Sequence, residues 1–151
     1  MNESELQQYL HAHIPQSRAM QVTVAEIGID SVVLRAPLAP NINHRDTLFG
    51  GSASAVAMLT AWSLVQTRLL AAGISGRIVI RRNSMDFERP VSGDFAARAF
   101  LDPSADWPRF IAMLKRVGMA RIGVVVELEF RGQVAARFKG EFVAMADPSA
   151  D

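Results

Sequence analysis

The chain has 151 residues, half of them hydrophobic and 21% charged, with a formal net charge of +1. One domain of this length can bury a sizeable core, and the composition excludes wholesale disorder. The near-neutral balance provides no field for nucleic acid or an anionic membrane, and the absence of cysteine excludes disulfides, a thiolate nucleophile and a cysteine metal site.

The first segment, MNESELQQYLHAHIP, is polar and acidic rather than basic and then apolar, so it is not read as a signal peptide. A cytoplasmic protein is the expectation. Glu3 to His13 predicts a short helix with Ser4 as its cap, a stripe of Leu6, Tyr9, Leu10 and Ile14, and Pro15 as its end. The N-terminal helical region is placed at 1–18. His11 and His13 lie two apart, which points them to different faces of a helix and favours solvated side chains over a metal pair. Met20 to Glu26 alternates apolar and polar residues, and Ser31 to Pro37 is rich in β-branched residues. With Gly28-Ile29-Asp30 as the turn, they predict an antiparallel hairpin.

The stretch from Asn41 to Ala72 organises the rest. Its second half predicts a helix from about Gly51 to Ala72 in which Ala53, Val56, Ala57, Leu59, Trp62, Leu64, Val65 and Leu69 leave no continuous polar stripe. Such a helix must be covered around most of its circumference. Ser52, Ser54, Thr60, Ser63 and Gln66 make it a poor membrane span, so a buried central helix is expected. Ahead of it, a polar loop carrying Asn41, Asn43, His44, Arg45, Asp46 and Thr47 runs into Phe49-Gly50-Gly51-Ser52. Glycine admits a ligand close to the backbone. The first-turn N–H groups lack intrahelical partners and attract an oxyanion or a polarised carbonyl. The plainer alternative is a loop-to-helix junction with Ser52 as cap.

Arg77 to Arg89 is extended, with an unusually polar middle of Arg81, Arg82, Asn83 and Ser84; that run either is solvated or lines a site or subunit junction. After a turn at Pro90 to Asp94 comes a strand from Phe95 to Leu101, then a helix from Asp106 to Val117 ended by Gly118. Met119 to Phe130 and the residues after Arg131-Gly132 alternate with period two, one face buried. The tail from 145 to 151 is expected to be flexible. The reading is therefore α+β: about six antiparallel strands wrapped around one long central helix, in a single domain over 1–151.

From Met20 to Ala144 this order resembles the hotdog-fold thioesterase superfamily. Its acyl-CoA branch carries an Asn-x-x-Gly-Thr-x-His-Gly-Gly loop before the central helix, and Asn43 to Gly51 match it here. Phe87, Pro90 and Gly93-Asp94 match a downstream turn. Phe49-Gly50-Gly51-Ser52, Trp62 and the strand Ala136 to Ala144 are similar to thioesterases typified by the C-terminal domain of YiiD. Three positions depart: the loop glycine is Asp46, the histidine is Phe49, and the helix carboxylate is replaced by Met58.

The resemblance implies hydrolysis of an acyl-CoA or acyl-carrier-protein thioester without a cofactor or metal, in a homodimer or dimer of dimers with shared clefts. Nucleic acid and membrane are not expected partners. Hydrolysis needs a cradle for the carbonyl oxygen and a base for water. Gly50, Gly51 and Ser52 are candidates for the first, with the Asn43 amide as a further donor. Asp46 is the first candidate base and Asp86 or Glu88 the second, the alternative for Asp46 being a loop carboxylate paired with Arg45 or capping a turn. His44 adjoins the loop without an evident partner. Asn41, Phe49, Met58, Arg81, Arg82 and Ser84 are the candidate substrate contacts. A non-catalytic acyl-binding module is the alternative, and a hydratase or dehydratase the third reading.

Overall fold

A computed structural model describes residues 1–148. Helix α1 (Glu3–His13) is started by Asn2, not by Ser4 as expected. The Asn2 side chain accepts from Glu5 N at 2.9 Å and the Glu5 carboxylate accepts from Asn2 N at 2.8 Å. This reciprocal pair satisfies two orphan donors at once, whereas Gln7, three residues beyond Ser4, is engaged elsewhere, its Oε1 accepting from Val24 N at 2.9 Å. Helix α1 stops at His13, just ahead of Pro15 as expected, but Pro15 also opens a second short helix, α2 (Pro15–Ala19), where its missing N–H is no loss. The expected single N-terminal helix is therefore two. His11 is not a freely solvated side chain either, because its Nε2 donates to the Val22 carbonyl at 2.7 Å.

Strands β1 (Thr23–Ile27) and β2 (Val32–Ala36) form the expected hairpin, closed by Gly28 N donating to Ser31 O at 2.8 Å. The central helix α3 runs from Gly50 to Ala71, and Ala53, Val56, Ala57, Ala61, Leu64 and Val65 on it are almost wholly buried. Each large apolar side chain so covered contributes about 1.5–3 kcal/mol of transfer free energy. Its buried hydroxyls do not oppose this. Thr60, Ser63 and Thr67 donate to the carbonyls of Val56, Leu59 and Ser63 at 2.6, 2.7 and 2.9 Å, so the polar atoms are satisfied within the helix itself.

The remaining elements are β3 (Gly76–Phe87), β4 (Phe95–Leu101), α4 (Trp107–Val117), β5 (Met119–Phe130) and β6 (Gln133–Ala146). Asp106 caps α4 by accepting from Arg109 N at 3.0 Å, and Gly118 leaves it in the left-handed region at φ 85°. All six strands join one antiparallel sheet in the order β1-β2-β4-β5-β6-β3. One face of it packs on α3. On that face Phe138, Gly140 and Phe142 follow one another at every second residue, and a methyl group at Gly140 would stand 2.7 Å from the Phe138 ring. Gly140 is thus the gap that lets two large rings pack side by side.

The C-terminal stretch is more ordered than its polarity implies. Met145 and Ala146 belong to β6, and Asp147 N donates to Ser75 O at 3.1 Å. Ladder pairing with β3 outweighs the weak side-chain signal there; the rest of the expected flexible tail, 149–151, lies outside the described residues. The long strand β3 forms one edge of the sheet and pairs only with β6, with a bulge between Ile80 and Arg82.

Candidate active site

The loop before α3 folds into a small closed turn. Ile42 bridges Leu48, Leu48 N donates to Val91 O, and Phe49 N donates to Asn41 O, both at 2.8 Å. Inside it, Asn43 is the clasp: its Oδ1 accepts from Arg45 N at 2.8 Å and Thr47 N at 3.2 Å, and its Nδ2 donates to Thr47 Oγ1 at 3.0 Å. This is an Asx turn, in which the side chain stands in for backbone. Asp46 adopts φ 61°. That left-handed conformation suits glycine best and is tolerated by Asp, which explains how Asp46 replaces the loop glycine of the motif. Its carboxylate is exposed and makes no ion pair with Arg45 among the described residues.

Phe49, in extended conformation, is the N-cap residue of α3 and has no side-chain acceptor to offer; Ser52 lies inside the first turn and is not the cap. Among the described residues the amides of Gly50, Gly51 and Ser52 find no hydrogen-bond acceptor, so the positive end of a 22-residue helix is left open. The Phe49 ring, 55% exposed, folds back over Gly51 closely enough that a methyl group there would collide with it. A methyl group at Gly50 would stand 3.4 Å from the Phe87 ring.

Asn41 does not lie on the loop surface. It is 1% exposed, and its Nδ2 donates to Met20 O at 3.0 Å and Pro37 O at 2.8 Å. The expected substrate contact is corrected to a buried clamp, since an amide spent on two backbone carbonyls has no donor left. Its Oδ1 is buried without a partner among the described residues.

Two cavities adjoin the helix, one at its tip and one further along it. One, of about 370 Å³, is bounded by Leu48, Gly50, Ala53, Phe87, Glu88, Arg89, Val91 and Leu128. Glu88 contributes a carboxylate there, but Arg137 Nε holds it at 2.9 Å. The other, of about 230 Å³, lies along α3 against Ala55, Met58, Leu59 and Trp62, with Ile80 and Phe142 from the sheet and Ile14, Gln16 and Met20 from the N-terminal helices. Met58 therefore sits where an acidic residue would face an almost wholly apolar wall.

The remaining candidates lie apart from both cavities. Arg81, Arg82 and Ser84 are exposed on β3, and Asp86 is exposed near its end. Arg81 Nη1 donates to Glu141 Oε1 at 2.8 Å, and this bond, helped by Arg121 and Arg82, keeps the Glu141 carboxyl below its ordinary range. Arg82 makes no ion pair among the described residues. His44 is exposed on the turn. Met58, expected as a substrate contact, lines the second cavity, but the sequence did not disclose that the N-terminal helices wall it.

The six-stranded antiparallel sheet packed on an apolar central helix is that of the hotdog thioesterases, and the family that the chain matches makes it a hydrolase. Residues 3–146 match the family described as "Putative thioesterase (yiiD_Cterm)", and the chain belongs to it. It is similar to a solved Chlorobaculum tepidum TLS protein of unknown function, at 25% identity over 96% of this chain and 94% of that one, with a TM-score of 0.89. A putative thioesterase from Shewanella oneidensis is 27% identical over 95% and 96%, with a TM-score of 0.86. A thioesterase from Haemophilus influenzae shares the fold at 12% identity, over 99% and 94% with a TM-score of 0.78. No helix among the described residues is long and apolar enough to cross a membrane.

Proposed function

We propose that the chain hydrolyses an acyl thioester of coenzyme A or of an acyl carrier protein, with the carbonyl oxygen received by the N–H groups of Gly50, Gly51 and Ser52. The observation that carries this reading is the unpartnered start of α3 beside the cavity that Gly50 helps to line. A tetrahedral oxyanion gains there from both the donors and the helix dipole, and each such donor is typically worth about 10²–10³ in rate. Water adds to the carbonyl carbon, the C–S bond breaks, and the thiol leaves with a proton while the acyl group departs as carboxylate. Asp46 is the proposed acceptor of the water proton, its carboxylate being exposed on the turn just before the tip. Asp86 is the next candidate; Glu88 lines the tip cavity but is engaged by Arg137. Asn43 acts by holding the turn in shape.

The open edge of β3 supports a homodimer in which that strand meets its counterpart, since an unpaired long edge is a template for another strand. Arg82 and Ser84, and Arg81 once released from Glu141, would then lie at the junction, where they suit the phosphate of a carrier arm.

A second reading, a non-catalytic acyl-binding module, is favoured by Met58 in the apolar cavity and by the lack of any acidic residue from Thr47 to Ile80. Thiol release measured across acyl-CoA substrates from acetyl to palmitoyl separates the two. Turnover weakened by Asp46→Ala supports hydrolysis; tight binding with no release from any substrate selects the binding module.

A further inference from the structure

We propose that the free edge of β5 at residues 119–123, with the face of α4 beside it, docks an extended acidic segment of a partner protein as an added strand. The proposal is independent of thioester hydrolysis. Arg68 lies over the ring of Trp107, so α4 begins beside the last turn of α3, about 27 Å along that helix from Gly50.

Strand β4 accompanies β5 only as far as Val124, which stands opposite Leu101. Asp102 N still donates to Gly123 O at 2.9 Å, and the chain then leaves the sheet for α4. Alternate residues of an antiparallel strand address opposite neighbours. Gly118 O accepts from Ala146 N on the β6 side, whereas Gly123 addresses the side of β4. Arg121 and Met119 therefore face the same way as Gly123, and their backbone N–H and C=O groups meet no partner among the described residues. This open edge, about 13 Å long, borders a cleft of about 650 Å³ shared with α4. Arg109, Met113 and Val117 line it at intervals of four residues, which puts them on one helix face. Val117 and Met119 are 61% and 51% exposed, so apolar side chains stand uncovered next to unpaired backbone.

An edge of this kind receives an extended chain, main-chain bonds giving affinity and neighbouring side chains selectivity. The charges around it select the occupant. Of the two carboxylates on the cleft, Asp106 caps α4, and Glu141 is bonded by Arg81 at 2.8 Å, closer than Arg121 at 3.9 Å. Arg109 and Arg116 make no ion pair among the described residues. Arg116 Nη2 lies 3.7 Å from Met113 Sδ, which brings a third arginine to the cleft. Three guanidinium groups facing carboxylates that are already bonded suit a segment carrying Asp or Glu. A second copy of the chain fits worse, because two edges paired about Arg121 would set that arginine against its counterpart.

The test uses the full chain and fluorescein-labelled hexapeptides in which glutamate alternates with valine, leucine or phenylalanine, followed by fluorescence anisotropy. At least one should bind about ten-fold or more tighter than its counterpart with lysine for glutamate. Methylating its backbone nitrogens should weaken it by about ten-fold or more, because the donors to the edge are lost. Arg121→Pro removes no bond to β6, since that N–H faces the cleft, yet its ring blocks the edge and should abolish binding. Arg121→Glu changes only an exposed side chain and should weaken binding by about ten-fold or more; it keeps the test intact if the proline variant does not fold. No binding of any peptide at about 1 mM, equal binding of the lysine or methylated forms, or full binding by folded Arg121→Glu overturns the proposal. Self-association of the chain that Arg121→Pro dissolves, or attachment to phosphatidylserine vesicles in place of peptide, overturns it as well.

Discussion

The side-chain amide of Asn41 donates to the backbone carbonyl of Met20 at 3.0 Å, tying the loop before the central helix to the end of α2. Through its own backbone carbonyl, Asn41 also receives Phe49 N at 2.8 Å. One buried residue thus fixes both the helix tip and one wall of the apolar cavity. Asn41→Ala would leave two inward carbonyls without donors, at a cost of about 2–3 kcal/mol. A urea midpoint within error of the wild type would refute the clamp.

At Gly51 stability and activity should separate. A methyl group there meets the ring of Phe49, and that ring is exposed enough to swing aside. Gly51→Ala should therefore cost less than about 1 kcal/mol in a helix that otherwise welcomes alanine. Turnover should fall much further, by about ten-fold or more, because the displaced ring crowds the amides on which the oxyanion depends. Phe49→Ala in the same chain should restore part of the lost rate. Unchanged kinetics in Gly51→Ala would count against carbonyl binding at this end.

Asp46 offers a test of the base that does not confuse chemistry with folding. Its backbone sits at φ 61°, a region that costs a non-glycine residue about 1 kcal/mol. Asp46→Gly should hold or raise the melting temperature while removing the carboxylate. With Asp46 as the base, thiol release should drop by about 10²-fold or more. A stable variant with normal turnover would pass the role to Asp86 or Glu88.

Acid sensitivity can be assigned to Asp102. Its Oδ1 accepts from Ser104 N at 2.9 Å and from the Ser104 hydroxyl at 2.8 Å, with Lys139 Nζ at 3.4 Å from Oδ2. The backbone bond first, then the hydroxyl bond and the lysine, hold this carboxyl below its ordinary range. The folded protein therefore binds that proton more weakly than the unfolded chain, so the stabilisation is present above the unfolded value of about 4 and is lost as pH falls through the folded one. Asp102→Asn should be less stable than wild type by about 1 kcal/mol near neutral pH. The gap should close on acidification below about pH 4. A gap that widens in acid would contradict the assignment.

The fold was legible because its signals were local and repeated. Period-two alternation marked β5 and β6, Gly118 marked the end of α4, and a helix without a polar face could only be one that a sheet covers. Local competition defeated the finer readings. Asn2 won the cap from Ser4 because Glu5 closes the reciprocal pair with it, while Gln7, the matching residue for Ser4, is drawn to Val24 N. Pro15 marked the end of α1 as expected and also began α2.

The sequence alone determined that a helix from about Gly51 to Ala72 must be covered on most of its sides and that two glycines stand at its start, since both follow from residue type and spacing along the chain. Only the tertiary structure decided that Asn41 faces inward, that Glu88 is held by Arg137, and that Met58 shares a cavity with Ile14 and Met20. Those facts depend on contacts between segments far apart in the chain, and no local pattern encodes which distant backbone a side chain will meet.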